Sequence, residues 1–258
     1  MSSPLHKAAS VWSLMTRIPI ALRAEPDYAE ADWMIPTVGL GAAAAAAAGA
    51  GLGALVFGPG VLAAVVATGA QYLAFNLFHF DGLCDTADAM GAFGDEDKRR
   101  AALKDPRIGS FGLFGGLMAM AARLGSLSAL LSAGGLAPWA ALALAPVAGR
   151  FGAVVIACSA KPAGRGGLGA ALGAARPLRA ALGYALAAAP GALLFGAIGG
   201  PAAAGTAVLA GAAAGIAVGL AVGRWYERRL GGYSGDALGA ALELGELLIL
   251  CGAAAVLR

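Results

Sequence analysis

The chain has 258 residues, of which 59% are apolar and only 13% charged, with a formal net charge of +3. A soluble domain carries about 25% charged residues, and so small a net charge offers no footprint for nucleic acid. These figures exclude an ordinary soluble fold and point to an all-α, polytopic bundle of membrane helices whose solvent is the lipid bilayer.

Residues 8–18 read as a short amphipathic or interfacial segment. The first twenty residues contain Lys7, Trp12, Arg17 and Pro19, and they lack the apolar core that a cleavable signal needs. From Trp33 to Phe80 there is no Asp, Glu, Lys or Arg. That run suits two spans of about 20 residues each. Apolar segments succeed one another at 34–57, 61–80, 111–133, 137–160, 180–199, 201–223 and 237–257. They predict about seven transmembrane helices in one membrane-embedded domain, 1–258, rich in the small residues that let helices pack closely in lipid.

The connections alternate in character. Gly58-Pro59-Gly60, Gly134-Gly135-Leu136 and Gly199-Gly200-Pro201 are short and uncharged, as tight turns between antiparallel helices should be. The N-terminus, 81–110, 161–179 and 224–236 are longer and basic. With seven spans, all the basic stretches fall on one side. The excess of Lys and Arg makes that side cytoplasmic, with the N-terminus inside and Arg258 outside. Cys84, Cys158 and Cys251 show no metal-ligand spacing and read as small apolar fillers.

Seven of the fifteen acidic residues lie between Asp81 and Asp105, beginning where the second segment ends. On a helix, Asp81, Asp85 and Asp88 share one face. Such a row repels itself, and a divalent cation relieves the repulsion. Oxygen-only ligands select a hard ion, Mg²⁺ or Mn²⁺, which polarises phosphate oxygens. Close behind comes Lys104-Asp105-Pro106-Arg107-Ile108-Gly109. Here Arg107 offers a fork and Lys104 a point charge to phosphate, while Asp105 extends the metal set. His79 beside Asp81 is a candidate general base. The run Asp95–Arg100 reads as a solvated face.

Charges inside apolar segments are costly in lipid and face a cavity or a partner. Arg150, in the fourth segment, is read as a contact for an anionic substrate or an Asp of the cluster. Arg123 is left open between function and structure, and Glu246 reads as an ion partner for an arginine. Near the end, Gly231-Gly232-Tyr233-Ser234-Gly235-Asp236 opens a helix that carries Glu243 seven residues on. Asp236 and Glu243 can therefore share a face, on a helix start suited to an anion.

Taken in order, these motifs resemble the cobalamin synthase family. The resemblance rests on His79-x-Asp81-Gly82-x-x-Asp85-Thr86-x-Asp88, on Lys104-Asp105-x-Arg107-x-Gly109, and on Gly231-Gly232-x-x-Gly235-Asp236-x-x-Gly239-Ala240-x-x-Glu243. Thr16-Arg17-Ile18-Pro19, Pro36-x-Val38-Gly39 and Arg150 also fit, while Pro106 and Ser234 stand where Ser and Thr are common in the family. The resemblance implies a Mg²⁺-dependent enzyme of the cell inner membrane. It would join a corrinoid nucleotide, adenosylcobinamide-GDP, to α-ribazole or its 5′-phosphate and release GMP, with the active site on the cytoplasmic side. Asp81, Asp85, Asp88 and Asp105 are then expected at the metal, and Lys104, Asp105, Arg107, Arg150, Asp236 and Glu243 at the substrates. Two other readings compete. A CDP-alcohol phosphotransferase would want an Asp where Phe78 stands, and a cation transporter would want its acids at mid-membrane.

Overall fold

A computed structural model of the chain describes residues 2–93, 96–164, 169, 172, 173 and 175–257. Asp95 and Arg258, which figure in the sequence reading, lie outside them, as does part of the basic stretch 161–179. Among the described residues there are helices and no strands. Helix α1 is Pro4–Met15, α2 Ala31–Phe57, α3 Val61–Gln71, α4 Leu77–Gly91, α5 Glu96–Ala102, α6 Ser110–Ala133, α7 Ala137–Ser159, α8 Pro177–Leu230 and α9 Gly235–Leu257. A π turn, Tyr72–Asn76, joins α3 to α4 without a break.

Six helical stretches are long and apolar enough to cross a membrane, with α3 and α4 counted as one and α8 as another. Helix α8 has 54 residues, about 80 Å at 1.5 Å per residue, far more than one crossing needs. It is broken at Gly199 and Gly200, where Gly200 has φ 78° and ψ −174°, and Pro201 comes next. The chain folds back there, since Tyr184 Oη donates to the Val208 carbonyl at 2.7 Å. Its two limbs are separate crossings, so the six stretches give seven spans, as the alternating loops predict. Gly134 and Gly135, at φ 75° and 66°, make the turn from α6 to α7 in backbone that residues with a Cβ avoid. The second predicted segment, 61–80, proves too short. The rod continues through the π turn to Gly91, so the aspartate row lies on the end of a spanning helix.

Helix α7 is the axis of the bundle and packs against α2, α8 and α9. Small residues set the spacing. A Cβ on Gly39 would come within 2.8 Å of the Val147 backbone, and one on Gly245 within 2.8 Å of Gly149 Cα. Backbones this close gain dispersion energy where lipid supplies no hydrophobic drive between helices. The outer faces carry exposed Leu55, Phe114, Leu186, Leu193 and Val256, a surface suited to acyl chains.

Inside the bundle lies a buried network of charge. Arg123 and Arg150 on α6 and α7 meet Glu246 of α9 at 3.0 and 3.1 Å. Gln71, Tyr72 and Asn76, at and beside the π turn, complete it. Gln71 Nε2 donates to Glu246 at 2.8 Å, Tyr72 Oη to Glu243 at 2.5 Å, and Asn76 Nδ2 to Glu243 at 2.9 Å and Glu246 at 3.0 Å. Two arginines and two glutamates cancel in charge, which is how ionisable groups persist in a span.

At the loop end, Asp32 ties the start of α2 to the start of α8, through Arg179 at 3.2 Å and the Arg176 N–H at 3.1 Å. Lys7 of α1 pairs with Glu30 at 2.7 Å and, through that hydrogen bond, holds the Glu30 carboxyl below its usual range.

Removing one partner of a buried ion pair leaves the other charge stranded, at a cost of about 3–5 kcal/mol. Glu246→Ala is therefore expected to lower the thermal unfolding temperature in detergent far more than Glu227→Ala. Unfolding curves for the two variants, followed by circular dichroism, make the comparison.

Candidate active site

The site is built where α4 meets α9 at the loop end of the bundle. Glycines make the contact possible. A Cβ on Gly82 would stand 2.9 Å from Asp236 Cα, and one on Gly239 would stand 2.8 Å from the His79 carbonyl. Thr86 Oγ1 donates to the Gly82 carbonyl at 2.7 Å and accepts from Tyr226 Oη at 2.8 Å, which ties α4 to the end of α8. This packing brings the first acidic motif and the Asp236 motif into one neighbourhood.

A cavity of about 550 Å³ opens beside α4, lined among others by Asp81, Asp85, Asp105, Arg107 and Arg17. Phe78, Phe80 and Ile108 give it apolar walls. Asp81 and Asp85 have no hydrogen-bond or ion-pair partner among the described residues, and the charges of Asp81, Asp236 and Asp88 all bear on Asp85. Arg107 sits on Asp105 as a bidentate pair, Nε at 2.9 Å and a terminal nitrogen at 2.8 Å. Through those bonds Arg107 holds the half-buried Asp105 carboxyl down at about 2.

The structure divides the rest of the predicted set. Asp88 is on the expected helix, but both its oxygens are taken. They accept the N–H groups of Gly109 at 2.7 Å and Gly112 at 2.8 Å. Asp88 thus caps the start of α6, where free N–H groups and the helix dipole favour a carboxylate. It is not among the residues that line the main cavity. Asp105 reaches the cavity with its oxygens already bonded to Arg107. Arg150 and Glu243 do not line the main cavity. Both are fully buried in the charge network, and Arg150 bonds Glu246, Asn76 and the Pro146 carbonyl rather than any Asp of the row. Glu243 lies seven residues deeper along α9 than Asp236, about 10 Å, where a charge must be paired. Arg123 is bound into the same network, and Glu246 is the ion partner the sequence suggested.

His79 and Asp236 share a second, narrower cavity of about 170 Å³ with Met15, Ile35 and Leu238. His79 is buried and its Nδ1 makes no hydrogen bond among the described residues. Asp236 accepts from Ser234 Oγ at 3.0 Å. It also borders a third cavity, of about 170 Å³, that contains Lys104 and Arg100. Lys104 and Arg107 therefore open onto different cavities. Arg17, which the sequence pattern placed in a motif without a role, lines the main cavity. The signal was a basic residue close to Pro19, outside every span.

Among the described residues no three His, Cys, Asp or Glu side chains gather closely enough to hold a metal ion alone. Asp81 and Asp85 supply two free carboxylates in one cavity. That donor set fits Mg²⁺, which takes one or two carboxylates and completes its shell with water and substrate phosphate. The cavity can thus accept an anionic, phosphate-bearing molecule, hold it by cations and an ion, and give its apolar part aromatic walls.

The sequence matches the family described as cobalamin-5-phosphate synthase over residues 7–254. A relative from Geotalea daltonii is 30% identical over 235 residues, covering 90% of both chains. One from Bradyrhizobium diazoefficiens is 32% identical, covering 94% of this chain and 91% of its own. One from Halorubrum lacusprofundi is 33% identical, covering 92% of this chain and 91% of its own. All three are named adenosylcobinamide-GDP ribazoletransferase. No solved structure matches the chain. With a family match running almost from end to end, the chain belongs to the cobalamin-5-phosphate synthase family.

Proposed function

We propose that this chain is a Mg²⁺-dependent phosphotransferase that joins adenosylcobinamide-GDP to α-ribazole, or its 5′-phosphate, and releases GMP. The product is adenosylcobalamin or its 5′-phosphate. The family match and the names of the relatives support the substrates. The observation within the structure that carries the reading is the pair of carboxylates, Asp81 and Asp85, unpartnered among the described residues, in a cavity that also holds arginines.

In this reading the diphosphate lies in the 550 Å³ cavity. Asp81 and Asp85 hold the ion against it, and Arg107, while its Nε and one terminal nitrogen bind Asp105, offers its remaining N–H groups to phosphate oxygens. When bound, Mg²⁺ draws charge from those oxygens and eases departure of the GMP phosphate. The acceptor ribose hydroxyl attacks the corrinoid-side phosphorus, a new P–O bond forms, and the bridging P–O bond breaks. The hydroxyl proton passes to one of the aspartates that line this cavity; His79, in the separate cavity against α9, is not placed to take it. Phe78 and Phe80 keep bulk water from the reacting phosphorus.

The loop end of the bundle is proposed as the cytoplasmic end, in the cell inner membrane, because the basic connections gather there. A transporter would need acids free at mid-membrane. Here the mid-span glutamates are bound up with arginines, and the free acids stand at the end of α4.

GMP release from adenosylcobinamide-GDP in proteoliposomes, with and without α-ribazole, is the deciding measurement. Release that requires α-ribazole is expected; its absence in the wild type removes the reading. Asp85→Asn is expected to reduce release by about 100-fold or more at saturating Mg²⁺, the scale of losing one preorganised electrostatic contact; near-normal turnover takes Asp85 out of the metal set. Chelation with EDTA is expected to stop release, and added Mg²⁺ or Mn²⁺ to restore it. Asp88→Asn should behave differently. It weakens the cap of α6 by about 0.5–2 kcal/mol, read as a lower unfolding temperature, while the Mg²⁺ concentration for half-maximal rate stays as in the wild type.

A further inference from the structure

Arg17 is a cation with a fixed backbone and an unoccupied charge. Its own N–H donates to the carbonyl of Ala74, inside the π turn, at 2.8 Å. Just before it, Trp12 of α1 packs edge-on against Phe75 of the same turn, with ring centres 6.0 Å apart. Just after it, the Ile18 N–H donates to Thr16 Oγ1 at 3.2 Å, and Pro19 fixes φ. The segment is thus fastened to α4's own rod at Arg17 and just before it. Arg17 is exposed and lines the cavity with Asp81 and Asp85. Among the described residues its guanidinium makes no hydrogen bond or ion pair.

The contrast with its neighbours decides the reading. Arg107, in the same cavity, already has its fork on Asp105. Arg123 and Arg150 are consumed by glutamates. An arginine needed only to mark topology would not be pinned at its backbone to the turn that begins the acidic helix. Nor would it face a cavity where two free carboxylates await a bridging ion.

We infer that Arg17 is a direct phosphate contact of the main cavity, gripping the diphosphate of a nucleotide-bearing substrate opposite the Asp81–Asp85 pair. This deepens the proposed function and rests on it for the name of the substrate, but not for the class, which is a nucleoside diphosphate group. Its planar fork suits two phosphate oxygens at once, and its charge offsets what the carboxylates repel.

The test is calorimetric titration of the full-length protein in detergent with GDP in the presence of Mg²⁺. Arg17→Ala keeps the backbone N–H that binds Ala74, so the segment stays in place. Its Kd for GDP is expected to rise roughly 10- to 100-fold, the scale of a lost charged hydrogen bond. Arg17→Lys should fall between, since it keeps the charge and loses the fork. Arg23→Ala, on the same segment and outside the cavity lining, should bind as the wild type does. Equal GDP binding by Arg17→Ala and wild type, or no GDP binding by the wild type, overturns the inference. The two readings fail separately. A wild type that binds GDP through Arg17 yet releases no GMP in proteoliposomes sinks the proposed reaction and leaves the contact standing. Normal α-ribazole-dependent release with unaltered GDP binding by Arg17→Ala does the reverse.

Discussion

Four charges with no access to water set the terms for the rest of this bundle. Arg123, Arg150, Glu243 and Glu246 come from three helices and are nearly or fully buried. None could remain ionised alone in a low-dielectric interior, so each requires the others to be in place. Such pairs add little net stability over apolar packing, but breaking one is costly. Their effect is therefore on register: α6, α7 and α9 can slide or rotate only by stranding a charge. Gln71, Tyr72 and Asn76 extend the constraint to the rod that carries the aspartates. The glycine contacts between α7 and α9, and between α4 and α9, allow the close approach this network needs.

Once α4 is held in that register, its faces do different work. The side bearing Asn76, His79 and Thr86 meets α9, α8 and the network. Asp81 and Asp85 point elsewhere, into the main cavity. Asp88, one turn on, reaches the start of α6 and fixes the loop that carries Lys104 and Arg107. A row that looks uniform in sequence is thus split between two free acids and one cap. Two carboxylates in place of three suit an ion whose remaining ligands come from the substrate.

Much of this was legible in the sequence because lipid imposes hard rules. Span length, glycine turns and one-sided basic loops dictate seven crossings, and even the vague 201–223 segment emerges as a helix beyond Gly200. The acidic row and the Asp236 motif stand out by composition alone. What stayed hidden depended on partners distant in the chain. Asp88 finds its N–H groups 21 and 24 residues away, and no pattern near Asp88 announces them. Arg150 and Glu243 were placed on inner faces correctly, but an inner face looks the same in sequence whether it meets a substrate or a counter-charge. The paired Arg123 and Glu246 were the clue that the interior already balanced itself. The π turn carries no Gly or Pro signal, so the spanning rod was expected to end at Phe80 rather than at Gly91.

That turn is where the two halves of the structure are coupled. An i→i+5 turn holds one residue more than an α turn and so rotates the helix beyond it by about 100°. Tyr72 and Asn76 on its inner side address the glutamates, while Ala74 on another side accepts the N–H of Arg17. A regular α-helix over the same residues would send Asn76 or the aspartates to the wrong face, since one helical phase cannot serve both. Wide turns are rarer and weaker than α turns, and they persist where surrounding contacts over-determine them. Here those contacts are the buried charges on one side and the N-terminal segment on the other. The geometry of the cavity is therefore set from within the membrane, by a network whose charges do not line it.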